Sequence, residues 1–288
     1  MEWLIAPFEV SFVQRAMWGG ILVSAICALA GTWVVVRGMA FLGEAMAHGM
    51  LPGVAVASLT GGNLMLGGAL SAVAMACGVT VLGRSRRFTQ DTAIGLLFVA
   101  MLAAGVIIVS QADSFAVDLT SILFGDVLAV RSQDLLQLVA ALALAVVVCA
   151  GGHRAFVALS VDRRTATTLG LRPRLAHGAL LLLLTLAIVS SLHVVGTLLV
   201  VGLLVAPPAA AMFWADRIPL VMLGAVLLGS AATIIGLLVS WHAGTAAGAT
   251  IALVAVALFG LSASFSRMRP RRSAERAVPP ESAPERTP

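Results

Sequence analysis

The sequence contains no lysine and no tyrosine, and only 11% of its 288 residues are charged. A water-soluble domain has about a quarter of its residues charged, so this chain has too little polar surface to cover a soluble globule. Hydrophobic residues make up 60% of the sequence, and the mean hydropathy is +1.04. They form blocks of about 20 residues, the length that crosses a hydrocarbon core of about 30 Å. The composition therefore predicts an integral membrane protein.

The few cysteines and the N-terminal residues exclude other classes. The cysteines number three, and each lies in an apolar block without a close cysteine or histidine partner: Cys27, Cys77 and Cys149. This pattern argues against a disulfide framework and against a zinc knuckle. The N-terminus carries Glu2 and Glu9 and lacks a basic segment. We therefore expect no cleavable signal peptide.

The apolar blocks predict an all-α polytopic fold with about nine transmembrane helices. The expected spans are Val13–Val36, Ala40–Leu59, Asn63–Leu82, Thr92–Gln111, Leu135–Ala150, Ala176–Leu192, Val194–Trp214, Leu220–Trp241 and Gly244–Phe265. Threading the chain through nine crossings puts 16 of the 18 arginines on one side of the membrane. Because positive loops stay in the cytoplasm, this predicts an outside N-terminus and a cytoplasmic C-terminus.

The chain divides into three predicted segments. Residues 1–12 form an interfacial segment, residues 13–266 the transmembrane domain, and residues 267–288 a disordered cytoplasmic tail rich in Pro, Arg and Glu. The span Ala40–Leu59 is the least regular, because it contains Glu44, His48 and Pro52. A broken or re-entrant helix there would reduce the count to eight.

Glu44 is the only acid well inside an apolar block. An ionisable group in a membrane span costs about 2.5–3.5 kcal/mol on insertion scales and marks function by default. His48 follows four residues later, so on a helix the two side chains share one face. A carboxylate and an imidazole together can bind a transition metal such as zinc or manganese. The alternative is a Glu–His hydrogen bond that only neutralises two buried groups.

A cytoplasmic loop between spans carries a second pattern. Asp162, Ala166 and Gly170 recur at four-residue spacing, which places them on one face of a short helix that Gly170 could end. Such a helix suits docking onto a soluble partner, and an ordinary interfacial helix is the alternative.

Together these runs resemble the permease subunits of bacterial ATP-binding-cassette importers for manganese, zinc and iron, over nearly the whole chain. An early motif carries most of the resemblance, through Arg37, Met39, Phe41, Leu42, Gly43, Glu44, His48, Pro52 and Gly53. Further matches are Asp91–Gly95, Phe124–Asp126, and the segment from Val195 to Pro207. The family usually has aspartate where this chain has Glu44.

The resemblance implies a homodimeric permease in the bacterial inner membrane, with a translocation path between the subunits. Glu44 and His48 would form the metal site, and the helix Asp162–Gly170 would couple to a cytoplasmic ATPase. An extracytoplasmic metal-binding protein would deliver the ion. The chain has no phosphate-binding Gly-x-x-x-x-Gly-Lys run, so it is expected to be a transport subunit rather than an enzyme, with ATP bound on the partner.

The transported substrate is expected to be Zn²⁺ first, because histidine favours it, and Mn²⁺ next. No covalently bound cofactor is expected. His193 and His242 fall at the outer face and are either ligands for the incoming metal or ordinary interfacial histidines. The main alternative function is a permease for iron chelates or vitamins, which would need a wide cavity and no paired ligand.

Overall fold

The computed structural model describes residues 10–83, 89–110, 127–161 and 172–268, and regular structure in these ranges is entirely helical. The first helices are α1 (Ser11–Val36), α2 (Ala40–Gly49), α3 (Leu51–Thr60), α4 (Leu64–Leu82) and α5 (Gln90–Val109). A short 3-10 turn, Val127–Ala129, precedes α6 (Ser132–Val161). The stretch Pro173–Ala211 holds α7 (Pro173–Leu192) and α8 (Val194–Ala211), and α9 (Ile218–Ala243) and α10 (Ala247–Met268) follow.

The all-α fold and the nine spans are confirmed for the described part of the chain. Nine helical segments there are long and apolar enough to cross a membrane, with α2 and α3 together counting as one, Ala40–Thr60. Both ends of the bundle can be defined by residues. Arg37 and His177 mark one end, called here the Arg37 end. Asn63, Arg131 and Val194 line one cleft at the other, the Arg131 end.

The chain reverses between α7 and α8. Gly196 has φ 76° and ψ 168°, which are not helical and which glycine adopts at little cost. His177 lies beside Arg37 at the end of α1, whereas a Cβ atom at Gly19, early in α1, would contact Val194. Leu204 then lies against Gly31, back toward the Arg37 end. The helix α7 is therefore antiparallel to α1, and α8 is parallel to it.

The core of the bundle is formed by α1 and α8, the most buried spans, with α7 beside them. The helices α1 and α8 approach closely at Gly31, where a Cβ atom would overlap the carbonyl oxygen of Leu204. Small residues allow such contacts, which supply the van der Waals packing that holds membrane helices together. Trp33 is fully buried near the Arg37 end and packs edge-on against Phe156, with ring centroids 5.2 Å apart.

The helix α6 is longer than the sequence analysis predicted. We expected the span to end at Ala150, but the helix runs to Val161. Gly151 and Gly152 do not end it, because the following residues bury an apolar face that includes Phe156. Residues 1–9 and 269–288 lie outside the described ranges, so the predicted interfacial segment and disordered tail stay predictions.

The span that carries Glu44 crosses rather than re-enters, with one interruption. The helices α2 and α3 are separated only by Met50, whose φ of −78° and ψ of −23° remain near helical values. Pro52 explains the interruption, because it has no N–H to donate to the carbonyl of His48 four residues earlier. The following helix α4 runs back alongside, since Gly53 meets Gly67 and Gly49 meets Met75.

Candidate functional site

The structure brings the two sequence-predicted metal ligands together on α2. His48 Nε2 lies 2.9 Å from Glu44 Oε1, a hydrogen-bonding distance between groups one helical turn apart. Because a carboxylate oxygen can only accept, the ring nitrogen donates in this arrangement. The other ring nitrogen, Nδ1, is buried and has no hydrogen-bond partner among the described residues. The two side chains are therefore joined by a single hydrogen bond.

One aromatic ring flanks the pair and packs on a second ring. The ring of Phe98 on α5 packs edge-on against His48, with centroids 5.5 Å apart and an interplanar angle of 77°. The same ring packs against Phe41 of α2 at 5.6 Å and 66°. One side of the site is thus closed by hydrocarbon from α5.

The pair is nevertheless partly open. The Glu44 side chain is 39% exposed and the His48 side chain 17% exposed in the single chain. Across the described ranges, no group of three or more His, Cys, Asp or Glu residues is arranged to hold a metal ion. Two ligands are too few for a tightly closed structural site, which takes four, but they suit an ion that must also leave.

A hydrogen bond from α4 stabilises the chain at the break between α2 and α3. Ser71 donates its hydroxyl hydrogen to the carbonyl oxygen of Gly49 at a distance of 2.7 Å. Inside a bilayer, backbone groups must find partners within the protein, so this bond stabilises the carbonyl next to the interruption. A Cβ atom at Gly105 of α5 would lie 2.9 Å from Leu51 Cβ, so α5 also packs tightly against the break. The helix that presents Glu44 and His48 is thereby held by both α4 and α5.

Of the other sequence-predicted residues, only the side chain of His242 lies in the part of the chain that the structure describes. Asp162, Ala166 and Gly170 lie outside the described residues, and so does the side chain of His193. His242 lies at the end of α9, exposed, with Nδ1 donating to the carbonyl oxygen of Leu238 at 2.8 Å. Their proposed roles stay predictions.

Sequence reasoning missed Phe98. It lies 50 positions after His48 in a span that was recognised only as apolar, and nothing in its spacing marks it. Its place beside the pair depends on α5 packing against α2. A second feature missed was a cleft of about 610 Å³ at the Arg131 end, whose polar lining is Asn63, Arg131, Gln133, Asp134 and Gln137.

Comparison with known proteins decides the family. Residues 9–266 match the model of the ABC 3 transport family. The chain belongs to the ABC 3 transport family. The match begins before α1 and ends within α10, so it includes the whole helical bundle and the Glu44–His48 pair.

Several known proteins are similar to this chain along nearly their full lengths. The manganese transport system membrane protein MntC of Listeria innocua is 36% identical, over 92% of this chain and 95% of that protein. A probable iron transport system membrane protein of Haemophilus influenzae is 34% identical, over 94% and 99%. The solved structure of PsaBC from Streptococcus pneumoniae in complex with Fab superposes with a TM-score of 0.80 at 30% identity, covering 91% of this chain and 94% of that one. The predicted resemblance is confirmed, and the chain is a multi-pass membrane protein of a transporter family.

Proposed function

We propose that this protein is the membrane-spanning subunit of an ATP-driven importer of divalent transition-metal ions, and that Glu44 and His48 bind the ion in transit. One observation carries the proposal: a carboxylate and an imidazole meet at 2.9 Å within a membrane span of a chain that belongs to a transport family. Charged groups in spans mark ion pathways by default. An oxygen and a nitrogen donor together suit first-row transition metals.

We place Mn²⁺ before Zn²⁺ as the substrate, reversing the order that histidine chemistry alone favoured. A relative with 36% identity is named for manganese transport.

We also propose that two copies assemble around the path. The Glu44 side chain is 39% exposed although it lies on a membrane span. Exposing the Glu44 carboxylate to lipid would cost about 2.5–3.5 kcal/mol, so we propose that it faces water in a path or a partner subunit. A second copy would bring a second Glu44–His48 pair, and four donors would then be available to one ion.

The remaining parts of the complex complete the proposal. ATP binds on a separate cytoplasmic ATPase, and a metal-binding protein delivers the ion at the outer face. The Arg37 end faces the cytoplasm, in accord with the arginine distribution. There Asp162, Ala166 and Gly170 would seat on the ATPase and pass its movement to the bundle. ATP binding and hydrolysis then alternate the access of the site between the two faces.

The test uses the reconstituted complex of permease, ATPase and metal-binding protein in liposomes. Glu44→Ala and His48→Ala are each expected to abolish Mn²⁺ uptake while the complex still assembles. Glu44→Asp, which restores the residue usual in the family, is expected to keep uptake. Full uptake by either alanine variant would refute the site.

An iron chelate is the second candidate substrate, because a relative with 34% identity is named for iron transport. The same liposomes distinguish the candidates. Stimulation of ATP hydrolysis by free Mn²⁺ supports the metal-ion importer. Stimulation only by an iron chelate supports the alternative and would leave the Glu44–His48 pair without a ligand role.

A further inference from the structure

The position of Phe98 can be derived from its two ring contacts. Phe41 and His48 are seven residues apart on α2, which is about 10.5 Å along the helix axis. The centroid of the Phe98 ring lies 5.6 Å from one ring and 5.5 Å from the other. It is therefore about midway between them, at the height of Glu44. Phe98 stands beside the whole pair rather than beside one member.

This position has a chemical consequence for a bound ion. A phenyl ring has no lone pair to offer a metal, and the space that it fills is closed to a ligating water molecule. The ion can take Glu44 and His48 from this subunit, and every further ligand must come from the open side, where Glu44 is exposed. Hydrocarbon on one side also lowers the local dielectric, which strengthens the attraction of the carboxylate for the ion.

We infer that Phe98 is a specificity-determining residue: its ring forms an apolar wall that holds the transported ion to two protein ligands per subunit and excludes water from the α5 side. This inference rests on the proposed function. The wall keeps binding loose enough for release, because a nitrogen ligand from α5 would add to the donors of the two Glu44–His48 pairs and hold zinc more firmly. It also acts against strongly hydrated ions such as Mg²⁺, which keep several of their waters when bound.

Replacing Phe98 with histidine tests the first consequence. Phe98→His adds an imidazole at the height of Glu44, which gives each subunit a third possible ligand and should strengthen the binding of zinc. In liposomes with the complete transporter, Zn²⁺ should inhibit Mn²⁺ uptake at a concentration at least about 10-fold lower than for the unchanged protein, the scale on which residues around a metal site alter affinity. Phe259→His is the matched control, because Phe259 is also partly buried and pairs with an aromatic ring, Phe213, at 5.8 Å.

Truncation tests the second consequence and covers the case in which Phe98→His does not assemble. Phe98→Ala opens the wall to water, so the KM for Mn²⁺ should rise about 10-fold and competition by Mg²⁺ should become measurable. Phe98→Leu retains an apolar wall and should stay close to the unchanged protein in both measurements. A merely structural role would lower the maximal rate without changing the competition between ions.

The outcomes separate this inference from the proposed function. If zinc inhibits Phe98→His no better than Phe259→His, or if Phe98→Ala discriminates Mn²⁺ from Mg²⁺ as the unchanged protein does, the wall has no role in selection. If Glu44→Ala still transports Mn²⁺, the proposed site itself is wrong, whatever the Phe98 variants do.

Discussion

Replacing Gly53 with alanine tests the contact between α3 and α4 that holds the metal-site helix. A Cβ atom at position 53 would lie 2.6 Å from Ser71 Cβ and 2.7 Å from the carbonyl carbon of Gly67, and it would overlap the carbonyl oxygen of Gly67. Carbon atoms pack best at about 3.5–4.0 Å, so the two helices would have to move apart by about 1 Å. Backbone atoms form most of this contact, and no side-chain rotation relieves it.

The expected loss of stability follows from three contributions. Overpacking of this kind costs about 1–3 kcal/mol. Separation by about 1 Å also stretches the 2.7 Å bond from Ser71 to Gly49 beyond hydrogen-bonding range. Such bonds between membrane helices contribute about 0.6 kcal/mol. Replacing a helical glycine with alanine stabilises the helix by up to about 1 kcal/mol, which offsets part of this loss. We therefore expect the free energy of unfolding to fall by about 2 kcal/mol.

The measurement is reversible unfolding of the purified permease in detergent, followed by tryptophan fluorescence. Gly151→Ala is the matched control, because a Cβ atom at this α6 position would meet no described atom within 4 Å beyond its own stretch of helix backbone. It should leave stability unchanged or raise it by up to about 1 kcal/mol. The reasoning fails if Gly53→Ala and Gly151→Ala unfold at the same denaturant concentration.

The remaining predictions concern the core and the helix interruption. Trp33 is fully buried against Phe156, so Trp33→Ala should lower the free energy of unfolding by about 3–5 kcal/mol. Trp33→Phe retains an aromatic contact and should lower it much less. Equal stability of the two variants would contradict this prediction. Ser71→Ala removes only the hydrogen bond to Gly49 and should lower the free energy of unfolding by about 0.6 kcal/mol in the same assay. A decrease as large as that of Gly53→Ala would show that this bond stabilises the protein more than the average hydrogen bond between membrane helices.

Most of the fold could be predicted because a bilayer leaves few alternatives. Every backbone group within it needs an internal partner, so an apolar block of about 20 residues has to be a helix. The predicted beginning of the second span, Ala40, and the predicted end of the third, Leu82, agree with α2 and α4. The end of α6 could not be predicted, because the burial of Phe156 against Trp33 depends on another helix.

The candidate site could also be predicted only in part from the sequence. That Glu44 and His48 can meet follows from their four-residue spacing on any α-helix, a local property of the chain. The groups around them cannot be derived from this spacing. Phe98 approaches His48 from α5, and Ser71 of α4 donates a hydrogen bond to the carbonyl oxygen of Gly49 at the end of the same helix. Sequence periodicity describes one helix at a time and contains no information on which faces of two helices meet.

The sequence by itself therefore determined that the chain has about nine segments long and apolar enough to span a membrane, and that one acid and one histidine share a helical face. Only the tertiary structure decided that α2 and α3 form one interrupted span and that the chain reverses near Gly196. It also decided that one side of the Glu44–His48 pair is closed by Phe98 while the other stays open. The physical reason is that membrane helices associate through close packing of particular small residues, such as Gly53 on Gly67, and hydropathy cannot register these contacts.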